Sequence, residues 1–276
     1  MAFKEIKNMN TRIMSAVIGI AVCWVAIFLA PEWIAVALFS VLSGLIAYEF
    51  TEKSGLVKNK TKAIISVEFS AILPWFFYFD ADMGFLVFGT FIFIASLFAV
   101  SLFERNSDIN DLFVCLFGGF FLPCLLSILV TLFNVKNGKL LLVIPFVASW
   151  VPDSFAHIIG SLCGKHKLIP HISPNKTIEG AIGGLVGGIV GMLIYGVVLC
   201  LMDYSVNWLF FIIIGLSGAV FGSLGDLSLS YIKRKCYIKD YGNLIPGHGG
   251  ILDRFDSTLF VIPIVLFIAN NTTLIN

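Results

Sequence analysis

Charged residues are concentrated in one stretch of this otherwise apolar chain, between residues 226 and 256. Asp226, Asp253 and Asp256 supply carboxylate oxygens, which are the ligands that Mg²⁺ prefers in proteins. The segment 246–250 carries little side-chain bulk, so its backbone N–H groups can approach an anion closely. Basic side chains suited to phosphate groups accompany them: Lys233, Arg234, Lys239, His248 and Arg254. The stretch therefore predicts a site for a metal ion and a phosphorylated ligand, because a loop that only sets membrane topology would explain the lysines alone.

A second polar segment, residues 173–180, separates two apolar runs. Ser173 followed by Pro174 predicts a helix start, with Ser173 as the N-cap and Pro174 in the first helical position. A helix N-terminus next to Lys176 and Thr177 is suited to bind a phosphate group. We therefore predict that Ser173, Lys176 and Thr177 bind substrate, although a helix start that binds nothing has the same local pattern.

The composition is that of a membrane protein. Of the 276 residues, 58% are hydrophobic and 13% are charged, whereas about 25% of the residues of a soluble domain are charged. The six cysteines are scattered without metal-ligand spacing, which indicates reduced packing residues. No nucleic-acid partner is predicted. The composition therefore favours an all-α, polytopic membrane protein.

Nine apolar runs are long enough to cross a membrane as helices. They cover residues 13–30, 33–50, 63–79, 83–103, 112–133, 140–159, 181–202, 206–227 and 251–269. The first run could be a signal peptide, but it is long and no convincing small-residue cleavage site follows, so a retained span is predicted. Residues 1–139 then form a domain of helices 1 to 5, and residues 140–276 a domain of helices 6 to 9.

The distribution of basic residues predicts the orientation of these helices. With the N-terminus in the cytoplasm, 16 of the 18 Lys and Arg residues lie on the cytoplasmic side, and Lys136 and Lys139 lie outside. This split follows the positive-inside rule. We therefore predict nine helices with a cytoplasmic N-terminus.

Four carboxylates are predicted at the cytoplasmic ends of the later helices: Asp153, Asp226, Asp253 and Asp256. At 1.5 Å per residue, Asp153 lies about 20 Å along the sixth span. Asp253 and Asp256 are three residues apart and share one face of a helix. Any one of these acids could simply pair with a nearby basic residue, but four at one depth favour a single site on the cytoplasmic face.

Two acids and a glycine repeat remain to be interpreted. Glu49 and Glu68 lie in predicted spans and are candidates for function, although an interfacial Glu49 and a Glu68 hydrogen-bonded to a neighbouring helix are the favoured explanations. Gly180, Gly184 and Gly188 recur at every fourth position, which is typical of close helix packing in lipid.

The stretch that ends at Asp256 also forms a long motif. From Ser230 it reads Ser-x-apolar-Lys-Arg, four residues, Lys-Asp-x-Gly, and then Pro-x-His-Gly-Gly-apolar-x-Asp-Arg-apolar-Asp. This pattern resembles the signature of the phosphatidate cytidylyltransferase (CDP-diacylglycerol synthase) family, with every fixed position filled. The segment 173–180 is similar to the Ser-Pro-x-Lys-Thr-x-Glu-Gly element of that family. The family's Asp-(Ser/Thr)-Gly-Ala-Tyr element is matched at Asp153 only in part, because Phe155 and His157 replace its glycine and tyrosine.

The resemblance implies the transfer of a cytidylyl group from CTP to phosphatidate, giving CDP-diacylglycerol and pyrophosphate. It implies Mg²⁺ as cofactor, with a second cation left open, and a homodimer in the inner membrane of a bacterium with its active site on the cytoplasmic face. Asp226 and Asp253 are then the catalytic residues and, with Asp256, the metal ligands. His248 either binds phosphate or fixes the glycine-rich turn. The expected phosphate-binding residues are Ser173, Lys176, Thr177, Lys233, Arg234, Lys239, His248 and Arg254.

Two other functions stay open from the sequence. A CTP-dependent, polyprenol-type lipid kinase would transfer the γ-phosphoryl group instead, but the complete motif that ends at Asp256 argues against it. A transporter of a phosphorylated solute would use Asp153 and Asp226 as coupling carboxylates. Because the polar groups collect on one face of the membrane, the transporter is the more distant alternative.

Overall fold

The computed structural model describes residues 19, 21–79, 83–105, 107–244 and 249–276. Eight long helices lie in this part of the chain: α1 Glu32–Lys53, α2 Lys60–Tyr78, α3 Met83–Phe103, α4 Ile109–Asn134, α5 Gly138–Cys163, α6 Ile178–Leu201, α7 Trp208–Lys235 and α8 Leu252–Asn271. Two short strands, β1 Lys167–Ile169 and β2 Ser173–Thr177, form the sheet in this part of the chain. A π-helical segment, Val25–Leu29, precedes α1.

Within the described residues, six helices are long and apolar enough to cross a membrane: α1, α3, α4, α5, α6 and α7. They correspond to six of the nine predicted spans and confirm an α-helical membrane protein. Helices α2 and α8 have 19 and 20 residues but carry charged residues in or near their first turns, and they are not among the six. The first predicted span, 13–30, lies mostly outside the described residues. The count of nine and the orientation stay predictions.

The first compact unit consists of Met1–Phe133 and Asp240–Arg254. Glycines allow its helices to approach closely, because a Cβ atom at Gly118 of α4 would overlap the ring of Phe50 in α1. A Cβ atom at Gly119 would likewise meet the side chain of Ser66 in α2. The close approach of α1, α2 and α4 at these points therefore depends on the two glycines.

The second compact unit consists of Asn134–Lys239 and Phe255–Asn276. Helix α6 packs between α5 and α7, and its glycines lie at the contacts. A Cβ atom at Gly188 would collide with the carbonyl oxygen of Gly215 in α7, and one at Gly184 would lie 3.3 Å from the carbonyl oxygen of Pro152 in α5. The prediction that the glycine repeat serves helix packing is confirmed.

This division differs from the predicted one in two respects. The first unit ends at Phe133, a few residues before the expected boundary at 139, and it includes Asp240–Arg254 from the C-terminal half of the chain. A division by order along the sequence cannot anticipate such a return of the chain. The grouping of membrane helices into 1–139 and 140–276 stays a prediction.

The hairpin before α6 corrects one prediction. Residues Ser173–Thr177 form a strand that pairs antiparallel with β1, with Ser173 opposite Ile169. The prediction that Ser173 caps a helix beginning at Pro174 is therefore wrong. Helix α6 begins at Ile178, and its N-cap is Thr177, whose hydroxyl accepts a hydrogen bond of 3.1 Å from the Gly180 N–H. Pro174 is compatible with the strand because both strands of a two-stranded sheet are edges.

Candidate active site

Asp226 of α7 and Lys176 of β2 form an ion pair in the second unit. The Lys176 ammonium nitrogen lies 2.6 Å from Oδ2 of Asp226. The other oxygen of Asp226, Oδ1, accepts a hydrogen bond of 3.1 Å from the hydroxyl of Ser230, one helical turn further along α7. The structure therefore brings together one residue predicted to bind metal and one predicted to bind phosphate.

Two further carboxylates belong to the same electrostatic cluster. Asp153 of α5 lies within electrostatic range of Lys176 and Asp226. Asp256 of α8 is buried, and its Oδ1 accepts a 2.8 Å hydrogen bond from the N–H of Ser257. It lies within electrostatic range of Asp153 and Asp226. Three of the four predicted carboxylates thus interact within one unit, on three different helices.

Lys233 brings a second cation to this cluster. It is buried near the C-terminal end of α7 and acts electrostatically on both Asp226 and Asp256. We refer to Asp153, Lys176, Asp226, Lys233 and Asp256 as the carboxylate–lysine cluster. The cluster thus combines two lysines, which suit phosphate groups, with carboxylates, which suit a cation.

Gly225 allows the helices of this cluster to approach each other. A Cβ atom there would meet the backbone carbonyl oxygen of Asp256 at 2.6 Å and the ring of Phe260 at 2.8 Å. The space beside Gly225 is therefore filled by α8. This close contact between α7 and α8 explains how Asp226 and Asp256 come within electrostatic range.

The remaining predicted phosphate ligands of this unit lie outside the cluster interactions. Arg234 is exposed, and its Nε donates a hydrogen bond of 3.3 Å to the carbonyl oxygen of Ile172, which links α7 to the hairpin. Lys239 is exposed in the segment after α7. The hydroxyl of Thr177 serves as the N-cap of α6, so its hydrogen bond to the backbone has a structural role.

Glu179 holds the base of the hairpin. Its carboxylate accepts hydrogen bonds from the backbone N–H groups of Lys165 and His166 at 3.1 and 3.2 Å. Its second oxygen lies 2.7 Å from Nδ1 of His166. The Glu of the 173–180 element was not interpreted from the sequence, and its contacts show that it ties the start of α6 to the residues just before β1.

The segment Asp240–Arg254 belongs to the first unit. Asp253 is buried, and its Oδ2 accepts hydrogen bonds of 3.0 Å from the N–H groups of Tyr241 and Gly250. This oxygen therefore joins Tyr241, Gly250 and Asp253 of one segment. Arg254 is exposed. His248 lies outside the described residues.

Glu49 contacts the same segment. Its side chain is completely buried and accepts hydrogen bonds from the N–H groups of Ile251 and Leu252. Both carboxylate oxygens thus cap the start of α8, and the expected position of Glu49 at the membrane interface stays a prediction. Glu68, in contrast, is exposed on α2. An acid in an apolar run was the available signal for Glu49, but nothing in the sequence identified its partner.

The cluster provides oxygen ligands of the kind that Mg²⁺ prefers. Among the residues that the structure describes, no group of three His, Cys, Asp or Glu side chains is arranged to hold a metal ion. The chemistry nevertheless fits, since the Lys176 ammonium already contacts Asp226 as a cation would and Asp256 lies within range of the same carboxylate. Asp226 and Asp256 are thus the residues of this unit suited to hold a cation.

Comparison with known proteins places the chain in a family. The sequence profile of the cytidylyltransferase family matches residues 10–271, and the chain belongs to that family. The family resemblance that the motifs indicated is confirmed.

Named relatives make the comparison more specific. A phosphatidate cytidylyltransferase of Staphylococcus haemolyticus (strain JCSC1435) is 43% identical over 130 residues, which are 47% of this chain and 49% of that protein. The phosphatidate cytidylyltransferase of Bacillus subtilis (strain 168) is 45% identical over 122 residues, 44% of each chain. That of Staphylococcus aureus (strain COL) is 45% identical over 120 residues, 44% of this chain and 45% of that protein. The chain spans about half the length of the relatives it matches.

Proposed function

We propose that this membrane protein transfers the cytidylyl group of CTP to phosphatidate, giving CDP-diacylglycerol and pyrophosphate. Its family and the names of its relatives support this reaction. The observation that carries the proposal is the contact of 2.6 Å between Lys176 and Asp226 within the carboxylate–lysine cluster. The lysine of this pair can bind a nucleotide phosphate, and the carboxylate can bind a metal ion. The two ligands would then lie side by side.

The reaction requires charge neutralisation more than proton removal. An oxygen of the phosphatidate phosphate attacks the α-phosphorus of CTP. The bond from this phosphorus to the bridging oxygen breaks, and pyrophosphate leaves with the electron pair. A phosphate monoester has a second pKa of about 6 and is largely ionised near neutral pH, so no strong general base is needed. Fixed positive charge near the phosphates is therefore the main catalytic requirement.

Lysines of the cluster are suited to supply that charge. Lys176 lies on β2, one residue before the N-cap of α6, and this strand is paired with β1, so its ammonium can be held near the nucleotide phosphates. Lys233 lies near the end of α7 and faces the same carboxylates. We assign to both lysines the role of binding the β- and γ-phosphates of CTP, which leave as pyrophosphate. Ser173, Thr177, Arg234, Lys239, His248 and Arg254 keep the substrate-binding roles that the family motifs imply.

Asp226 and Asp256 would hold Mg²⁺, and Asp253 stays a candidate ligand from the family motif. When bound, Mg²⁺ neutralises charge on the phosphates and on the departing pyrophosphate. Asp153 lies on a third helix beside Asp226 and Lys176. It is suited to orient these two side chains, because it attracts the ammonium and repels the carboxylate.

The substrates determine where this chemistry takes place. CTP comes from the cytosol, and the phosphatidate headgroup lies at the membrane surface, so the site belongs at the cytoplasmic face of the inner membrane of a bacterium. The distribution of Lys and Arg supports this orientation. A homodimer is proposed on the family resemblance alone.

Product analysis tests the reaction directly. Purified protein in detergent is supplied with CTP labelled at the α-phosphate, Mg²⁺ and either phosphatidate or a polyprenol, with a chelated sample as the control. Labelled lipid and pyrophosphate formed only with phosphatidate support the proposal. Phosphorylated polyprenol and CDP would instead identify a lipid kinase. No turnover with either lipid would overturn both.

A further inference from the structure

One buried carboxylate of the first unit has no part in the proposed reaction. Glu49 lies in α1, at the start of a π-helical turn, Glu49–Lys53, and its side chain is 0% exposed. Turns of this kind widen a helix locally and are frequent at functional sites. A buried acid in a membrane helix is costly unless partners satisfy it. Its partners therefore indicate why it is there.

Both oxygens of Glu49 accept backbone hydrogen bonds from a distant part of the chain. Oε1 accepts from the N–H of Ile251 at 3.0 Å, and Oε2 accepts from the N–H of Leu252 at 2.8 Å. These donors lie at the start of α8, where N–H groups have no partner within the helix. The helix dipole places partial positive charge at the same end, so the carboxylate is stabilised there.

Two glycines of the motif leave room for this carboxylate. A Cβ atom at Gly242 would overlap the Glu49 carboxylate, and so would one at Gly250. Gly242 ends the Lys-Asp-x-Gly element, and Gly250 ends the Gly-Gly pair. The glycines at these two positions are therefore explained by the approach of Glu49.

The segment is also held by packing and from within. Tyr241 is 1% exposed, and its ring lies 5.4 Å from that of Phe50, centroid to centroid. Asp253 binds the N–H groups of Tyr241 and Gly250 from inside the segment. The segment Asp240–Arg254 is thus held by Glu49 and Phe50 of α1 and by its own residue Asp253.

From these contacts we infer that Glu49 is a positioning residue for the segment Asp240–Arg254. It fixes the backbone at Ile251 and Leu252, next to Arg254, and so sets how the segment engages the phosphates of CTP. The inference rests on the proposed function, because it takes the ligand of this segment to be CTP. It assigns to the N-terminal half of the chain a residue on which nucleotide affinity depends.

The test compares Glu49→Gln with Glu52→Gln in the full-length protein in detergent. Glutamine keeps the shape of Glu49 but places an NH₂ group against one of the two N–H donors. Glu52→Gln makes the same change three residues along the same helix. We expect Glu49→Gln to accelerate backbone hydrogen exchange in residues 240–254 and to weaken equilibrium CTP binding about tenfold. The KM for phosphatidate should change less than about twofold, because the inference assigns this segment to the nucleotide and not to the lipid.

Gly242→Ala disturbs the same contact from the side of the segment, because the added Cβ atom would overlap the Glu49 carboxylate. It replaces Glu49→Gln in the test if that variant does not fold. It should also accelerate exchange in 240–254 and weaken CTP binding. Unchanged exchange in the segment, or faster exchange with unchanged CTP binding, would overturn the inference. Loss of phosphatidate affinity equal to the loss of CTP affinity would also overturn it, since a general structural defect has that result. CTP binding without turnover in the wild-type protein would count against the proposed reaction, and the effect of Glu49→Gln on exchange and on CTP binding would still decide the positioning role.

Discussion

Lys176 and Asp226 are joined by a contact of 2.6 Å between the ammonium nitrogen and Oδ2. Their side chains are 25% and 26% exposed, but the Lys176 ammonium nitrogen itself is buried. In the absence of substrate each charge compensates the other. A nucleotide phosphate competes for Lys176, and a metal ion competes for Asp226. When both bind, each of the two side chains gains a new partner of opposite charge, which compensates for the broken ion pair. The binding of nucleotide and the binding of metal are therefore expected to reinforce each other.

The first prediction concerns Lys176. Lys176→Ala removes one charge-assisted contact to phosphate, so we expect kcat/KM for CTP to fall about ten- to hundredfold. Lys176→Arg should retain part of the activity, because a planar guanidinium replaces a compact ammonium poorly in a tight pocket. Steady-state kinetics with varied CTP measure both. Lys167→Ala, an exposed lysine of the same hairpin, is the matched control and should leave the kinetics unchanged. Wild-type kinetics for Lys176→Ala would mean that other residues hold the nucleotide.

Asp226→Asn gives the second prediction. The amide keeps the shape of the side chain but removes the negative charge that binds a cation, so we expect turnover to be lost. The variant should remain folded, because Asp226 is partly exposed and Ser230 can still donate to an amide oxygen. Its activity should not return when Mg²⁺ is raised.

Asp203→Asn is the matched control for this substitution. Asp203 is exposed in the turn after α6 and has a φ of 65°, a conformation that asparagine also tolerates. We expect its activity to equal that of the wild-type protein. Near-normal turnover by Asp226→Asn would remove this residue from the metal ligands.

Local patterns predicted the features that depend on neighbours along the chain. Apolar runs located α1, α3, α4, α5, α6 and α7, because the length and composition of a span are properties of one segment. The spacing of glycines likewise indicated the packing of α6. Asp253 does lie in the first turn of a helix, as expected from its position before an apolar run.

Features that depend on distant partners were not predictable in this way. Ser173 and Thr177 are both good N-cap residues, and the pairing of β2 with β1 decides between them. The two partners of Glu49 are 202 and 203 residues away. A single sequence contains no signal for such a pairing, since backbone N–H groups are present at every position except proline.

The third prediction tests whether Thr177 or Ser173 is the N-cap of α6. Thr177→Ala should destabilise the protein by about 1 kcal/mol, because the Gly180 N–H loses its acceptor. Thr177→Ser keeps the hydroxyl and should recover most of that loss. Ser173→Ala should leave the stability close to that of the wild-type protein. The stability of all three variants is measured by unfolding in the same detergent. A larger loss of stability for Ser173→Ala than for Thr177→Ala would contradict the observed helix start.

The last prediction concerns the orientation of the helices in the membrane. If the N-terminus is cytoplasmic, the segment after α1 and the β1–β2 hairpin face the cytoplasm, and the segment before α5 faces outside. Lys58, Lys136 and Lys167 are exposed residues of these three segments, so each can be changed to cysteine after the six native cysteines have been replaced. An impermeant thiol reagent added to intact cells should label Lys136→Cys alone. A permeant reagent should label all three, which shows that each thiol is accessible. Labelling of Lys167→Cys from outside would contradict the nine-helix topology and, because Lys176 lies on the same hairpin, would also exclude a cytoplasmic site.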